Sequence, residues 1–315
     1  MKLIRKQWFL VVLLLALATG YFFSHALKPL ADAGWLKWTV VAATMFVMAW
    51  PLEIGRLYHA FSRPMAPLLA TAINFILIPL LAWPISYLLG IELGPGLIVA
   101  AAVPSTLASG AVWTRRAGGD DSVAIAVTLL TNSMCFLVTP LIIYLLLGNV
   151  VETEVFFAAI YKLLYFVVCP MAVAQVLRIQ RQSATWATAH KAQLSTAAMF
   201  GVLFMVLTGS VSAGLKVEQS GAGDLQVGQI TMMLIAVAVI HLAGFFSGLF
   251  LARQLKLPLE QQIAVGFSGS QKTLMAGLST ALSMGLNIIP MVAYHAMQLI
   301  LDTVIADRIK RANKK

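Results

Sequence analysis

Lys272 stands inside the apolar run from Ile263 to Gly285, where an ammonium at membrane depth costs roughly 2.5–3.5 kcal/mol on insertion scales. A charge in that position needs compensation, and Ser268, Ser270, Gln271 and Thr273 make its neighbourhood polar. Such an ammonium can hold an anion, stand in for a bound cation, or be neutralised by a carboxylate. The last apolar segment offers partners for these options. His295 and Gln298 lie at i and i+3 and so share a helical face, and Asp302 follows four residues later. Paired with Asp302, Lys272 would lock two helices together; otherwise Lys272 and His295 are groups that orient a substrate or carry protons, though for His295 a buried, satisfied histidine is an equal alternative.

A second polar patch lies earlier in the chain. Pro104, Ser109 and Gly110 interrupt one apolar segment, and Thr128, Asn132 and Ser133 lie in the next. Pro104 removes a helix donor, and Gly110, Gly266 and Gly269 lower the cost of unwinding. Unwound backbone presents bare carbonyls and amides that can coordinate a cation or an anion. Close helix packing through small residues is the alternative. Asn74, Asn132 and Ser133 fit either a polar site or interhelical hydrogen bonds.

These residues need a membrane scaffold. The 315-residue chain is 60% apolar and 11% charged, with a mean hydropathy of +0.88, far from the roughly 25% charged composition of soluble domains. Apolar runs fall near residues 8–24, 36–54, 66–90, 97–114, 122–148, 155–177, 192–215, 229–252, 261–284 and 288–307. Continuous runs near the roughly 20 residues a spanning helix needs predict an all-α integral membrane protein with ten transmembrane helices. The fourth and ninth runs are both interrupted near their centres, which predicts two inverted five-helix repeats, 1–150 and 151–315, with a site near the midplane.

The net charge of +10 is distributed as a topology signal, and nucleic acid is not an expected partner. Lys2, Arg5 and Lys6, then Arg56, Arg63, Arg115, Arg116, Arg178, Arg181, Lys191, Arg253, Lys256 and the Arg308 to Lys315 tail fall on one side. Lys28, Lys37, Lys162 and Lys216 fall on the other. The positive-inside rule then places both termini in the cytoplasm. The first run reads as a retained helix, since Tyr21 to His25 lacks a small-residue cleavage pattern. Glu53 is expected at the cytoplasmic interface beside Arg56.

Catalytic motifs are weak. Gly266 to Thr273 is one residue from a phosphate-binding loop but has no strand before it, and Gly266 to Ser270 is not a nucleophile elbow. His241 and His295 show no metal-ligand spacing, and Cys135 and Cys169 read as packed free thiols. No enzyme is expected, and no resident cofactor.

The run from Pro104 to Gly119, the core around Gln271 and Lys272, Tyr294-His295-x-x-Gln298, and the opening Lys6-Gln-Trp8-Phe9 resemble the bile acid:sodium symporter superfamily, solute carrier family 10-like. The resemblance is to its divergent symporter-like branch, which includes an orphan vertebrate member. It implies a panel of spans 1, 2, 6 and 7 and a core of spans 3–5 and 8–10, with broken helices 4 and 9 crossing in the core. Sodium ligands carry over in part. Ala108-Ser109-Gly110 lacks the asparagine of the sodium-coupled branch, and Phe267 stands where its glutamate would be. Ser109, Thr128 and Gln271 remain as oxygen ligands.

The function expected is a secondary active transporter of the cell inner membrane, moving a small organic anion by alternating access. Its coupling ion would be sodium or a proton, or the fixed charge of Lys272 would replace it. The alternative is a non-transporting membrane regulator or receptor that uses the same crevice. The lipid bilayer is the other partner, and nothing in the chain fixes an oligomeric state.

Overall fold

Hydrocarbon offers the backbone no hydrogen bonds, so a lipid-exposed chain must satisfy its own amides within helices. The computed structural model describes residues 8–53, 64–107, 109–148, 152–220 and 227–312, and these form helices with no β-strand among them. Lys2, Arg5, Lys6, Arg56, Arg63, Lys314, Lys315 and the repeat boundary at 150/151 lie outside the described residues.

In chain order, α1 is Trp8–Phe22, α2 Ser24–Asp32, α3 Gly34–Ala49, α4 Met65–Leu88, α5 Gly90–Ala102, α6 Ser109–Arg116 and α7 Asp121–Leu147. The chain continues through α8 Thr153–Leu177, α9 Arg181–Ala189, α10 Lys191–Ser220, α11 Val227–Gln254, α12 Leu259–Ser270, α13 Leu274–Ser283 and α14 Ile289–Ala312. Six of these helices are long and apolar enough to cross a membrane, and a bent pair makes a seventh candidate.

Several expected spans are shorter or more broken than hydropathy suggests. The first bends by 102° between α1 and α2, and the second stops at Ala49 rather than reaching 54. The fourth and ninth each split into two short helices, as the interruptions in their sequences predict. The expected polar loop at 178–191 holds a further helix, α9, whose Trp186 packs against Trp50 and His190 at centroid distances of 4.9 and 4.4 Å.

Helix α10 packs along α1, α2 and α3, and α8 packs on α3. A second group joins α11 with α12 and α14, α12 with α4 and α7, and α7 with α5 and α6. Helix α13 touches both, meeting α3, α8 and α10 on one side and α5 and α14 on the other. Buried apolar side chains run through both groups.

One local irregularity prepares the site. Residues Ile73–Leu77 of α4 form a π-turn in which the Ile78 amide bonds back to the Ile73 carbonyl, five residues away. Ile78 therefore does not take the Asn74 carbonyl, and Pro79 has no N–H with which to do so. The Asn74 carbonyl is left for a tertiary partner.

Candidate functional site

The two interruptions lie against each other. The Thr273 amide donates to the Pro104 carbonyl at 2.9 Å, and the Ser105 hydroxyl donates to the Ser268 carbonyl at 2.8 Å. Two helix ends and two helix starts therefore meet inside the protein, and their free backbone groups must find partners there.

At the first break the local cause is proline. Val103, just before Pro104, is forced extended at φ −74°, ψ 158°, as a residue preceding proline usually is. Helix α7 then supplies most of the missing partners. Thr139 donates to Ala102 O at 2.9 Å, Asn132 to Ser105 O at 2.9 Å, and Thr128 to Thr106 O at 2.9 Å. The Thr131 hydroxyl accepts the Ser105 amide at 3.2 Å. These residues recur at helical spacing, so one face of α7 closes the break. Ser133 is exposed instead, because one residue of helix turns it about 100° away from that face.

The second break has no proline or glycine among Gln271, Lys272 and Thr273. Gly266 and Gly269, expected to ease unwinding, lie within α12 and serve close packing. A Cβ on Gly266 would come within 3.0 Å of Phe245, and one on Gly269 within 3.1 Å of Ile73. Tertiary partners hold this break open. Asn74 donates to Gly269 O and Gln271 O at 3.3 and 2.9 Å. Tyr294 donates to Ser270 O at 3.1 Å, and His241 Nδ1 lies 3.3 Å from the same oxygen. Gln298 clamps Lys272 reciprocally: its Oε1 accepts the Lys272 amide and its Nε2 donates to the Lys272 carbonyl, both at 2.9 Å.

Lys272 is fully buried. Its Nζ donates to Asn74 O at 2.6 Å and to Val103 O at 3.0 Å. The first is the carbonyl released by the π-turn, and the second is freed where α5 ends. The Lys272 amine thus bridges α4 and the first break, held by backbone oxygens.

Asp302 does not pair with Lys272. Its Oδ1 lies 2.8 Å from His241 Nε2, and its Oδ2 accepts from Gln271 Nε2; both side chains of the His241–Asp302 pair are fully buried. The Gln271 carboxamide continues the network, with Oε1 accepting from Thr106 at 2.6 Å and Ser109 at 3.1 Å. Gly110 packs closely beside it: a Cβ there would stand 3.3 Å from Gln271 Oε1, and the carboxamide would have to shift by a few tenths of an ångström. Ser268 and Ser270 turn their hydroxyls back to Ala264 O and Gly266 O within α12, and Thr273 contributes its backbone amide. Asn74 Oδ1 and Asn132 Oδ1 are buried acceptors with no hydrogen-bond partner among the described residues.

His295 lies on the α1 side of α14. Its ring meets Phe9 edge-on at 6.4 Å, and its Nδ1 faces Gln298 Nε2 at 2.9 Å.

The structure thus joins Lys272, Gln271, Asn74, Pro104, Ser109, Gly110, Thr128, Asn132, Gln298, His295 and Asp302 through one set of contacts. The sequence assigned no site role to His241, Tyr294, Ser105, Thr106, Thr131 or Thr139. The α7 threonines were detectable from their spacing on the Thr128 face. His241 was not, because its carboxylate partner lies 61 residues away.

The sequence profile of the SBF-like CPA transporter family matches residues 7–311. An uncharacterized protein of Pseudomonas aeruginosa is 28% identical over 257 residues, covering 78% of this chain and 75% of its own. Sodium/bile acid cotransporter 7 of Xenopus tropicalis is 22% identical over 326 residues, covering 98% and 92% respectively. YfeH of Escherichia coli, whose name describes a symporter, is 21% identical over 255 residues, covering 77% and 74%.

Proposed function

We propose that this chain, which belongs to the SBF-like CPA transporter family, moves a small organic anion and uses Lys272 as a fixed charge where related transporters would bind a coupling cation. Its standing as a multi-pass membrane transporter of that family follows from the profile match and the long apolar helices. If α5–α6 and α12–α13 each count as one broken crossing, the chain has ten spans in two inverted repeats, with α2 and α9 as additional short helices. Spans α1, α3, α8 and α10 would form a panel and the others a core, a division that the packing of α10 on α1 and α3 supports. The cation distribution favours cytoplasmic termini in the inner membrane.

The observation that carries the proposal is the lodging of the Lys272 ammonium between Asn74 O and Val103 O, at 2.6 and 3.0 Å. Backbone carbonyls around a positive charge are what a bound alkali cation would need, and here the chain supplies the charge itself.

The remaining donor set suits sodium poorly. Ser109 Oγ and Thr128 Oγ1 are engaged with Gln271 Oε1 and Thr106 O. Phe267, which the family resemblance sets where the sodium-coupled branch has its glutamate, packs on Phe245 at a centroid distance of 4.9 Å. A hard cation prefers several oxygen ligands, carboxylates among them. Loss of sodium coupling, with protons or the fixed lysine in its place, accords with these contacts.

The test begins with thermal-stability screening of purified protein against amphipathic organic anions, in sodium and in potassium. Uptake of the stabilising anion into proteoliposomes follows. Sodium-independent uptake that Lys272→Met abolishes supports the proposal. Stabilisation without flux supports a receptor that uses the same crevice.

A further inference from the structure

The Gln298 carboxamide determines which nitrogen of His295 can carry a proton. Its orientation is fixed by the backbone of Lys272, since Oε1 must face the amide and Nε2 the carbonyl. Rotating the carboxamide by half a turn would set donor against donor and acceptor against acceptor. One Nε2 hydrogen is therefore committed to Lys272 O, and the other is directed at His295 Nδ1, 2.9 Å away. His295 Nδ1 can only accept in this arrangement. The ring must be neutral, with its hydrogen on Nε2.

We propose that His295 is a proton-binding site that is closed while Gln298 clamps the second break and open when the clamp is released. A proton on Nδ1 would set an N–H of the imidazolium against an N–H of the carboxamide, so the charged ring, which also lies beside the Lys272 carbonyl, competes with Gln298 for that acceptor and weakens the reciprocal pairing. By linkage, proton uptake at His295 favours release of the Lys272 backbone, and release favours uptake. Lys272 also holds Asn74 O and Val103 O, so release at this residue loosens the contact between the two breaks. The idea rests on the transporter reading only for its use, which would be to couple protons to movement at the crossover.

The charged and titratable groups around His295 leave this logic intact. On α14, Tyr294 is bonded to Ser270 O and Asp302 to His241 and Gln271. On the second break, Lys272 Nζ is turned onto Asn74 O and Val103 O. Helix α1 presents Phe9 to the ring, and its titratable residue, Tyr21, is twelve positions further on. Of the other helices packed on α14, α11 contributes His241, already paired, and Arg253 in its last turn. Helix α5 contributes Glu92 in its first turn. Helix α6 contributes Arg115 and Arg116, paired with Asp121 and Asp307. Helix α13 carries no titratable side chain.

Hydrogen exchange of the Lys272 amide, corrected for intrinsic chemistry, tests the proposal on the full-length protein. On acidification from about pH 8 to well below the ordinary histidine range near pH 6.5, protection should fall on the order of tenfold once the ring is charged, as expected for the net loss of one hydrogen bond. His295→Gln should remove that pH dependence, and Gln298→Leu should lower protection at every pH. Constant protection in the wild type, or an unchanged pH dependence in His295→Gln, overturns the proposal. Should the variants fold poorly, nitrogen NMR of labelled histidine in the wild-type protein decides. The Nε2–H tautomer at pH 7.5 is expected, and an Nδ1–H tautomer overturns it. Neither readout needs flux, so loss of transport with an intact switch defeats only the transporter reading, and transport without the switch defeats only this one.

Discussion

The two breaks solve one problem with different chemistry. At the first, a proline stops the helix, and neutral hydroxyl and amide groups from a single helix, α7, satisfy most of the exposed backbone. At the second, no residue inside the break is a helix breaker. Its backbone is held by Asn74, His241, Tyr294 and Gln298, drawn from three different helices. A break made by proline persists whatever its surroundings, because the missing donor is covalent. A break made by tertiary partners lasts only while those partners stay in place. The second break is therefore the one suited to conformational change, and the ionisable groups gather there.

That contrast can be tested by removing partners from each side. The largest effect is expected for Asp302→Ala, which deprives buried His241 and Gln271 of their shared acceptor. Each buried partner left without its acceptor costs about 1–3 kcal/mol, the vacated side-chain space adds to that, and the drop should appear as a large fall in thermal stability in detergent. Equal stability of this variant and the wild type would detach the His241–Asp302 pair from the second break. Gln298→Leu follows, leaving the buried Lys272 amide and carbonyl unpaired, at about 1–3 kcal/mol for each buried group.

Asn132→Ala is the matching change at the first break. It removes the donor to Ser105 O but leaves Pro104 in place, so a loss of about 1–3 kcal/mol should come with unchanged hydrogen exchange at Lys272. Increased exchange there would mean that the two breaks open as one unit. Pro79→Ala is the smallest test. It restores an N–H just after the π-turn and gives the helix a local route toward regular bonding, so stability should change by less than about 1 kcal/mol. A larger loss would mean that the proline itself, rather than the Ile78 to Ile73 bond, keeps the Asn74 carbonyl available.

The same contrast explains what the sequence made legible. Pro104 announces the first break, and the threonine and asparagine spacing on α7 marks the face that closes it. Lys272 stands out as a charge in an apolar run. Its partners do not, because they are main-chain oxygens and any residue can supply a carbonyl. The expected lock with Asp302 failed for a related reason: i+4 spacing from Gln298 gave its face on α14, but His241 on α11 competes for the carboxylate, and hydropathy carries no record of that contact. Membrane-spanning character was visible from composition. The 102° bend between α1 and α2 and the helix at Arg181–Ala189 were not, since neither carries an apolar signature that a window average separates from its surroundings.

The central claim is that Lys272 provides the charge a coupling ion would otherwise bring to the crossover. Its most direct test is uptake of a stabilising organic anion into proteoliposomes, measured for the wild type and Lys272→Met with sodium replaced by potassium. Wild-type uptake is expected to be indifferent to the replacement, and Lys272→Met, though folded, is expected to lose it. Wild-type uptake that collapses without sodium, alongside normal sodium-driven uptake by Lys272→Met, would contradict it.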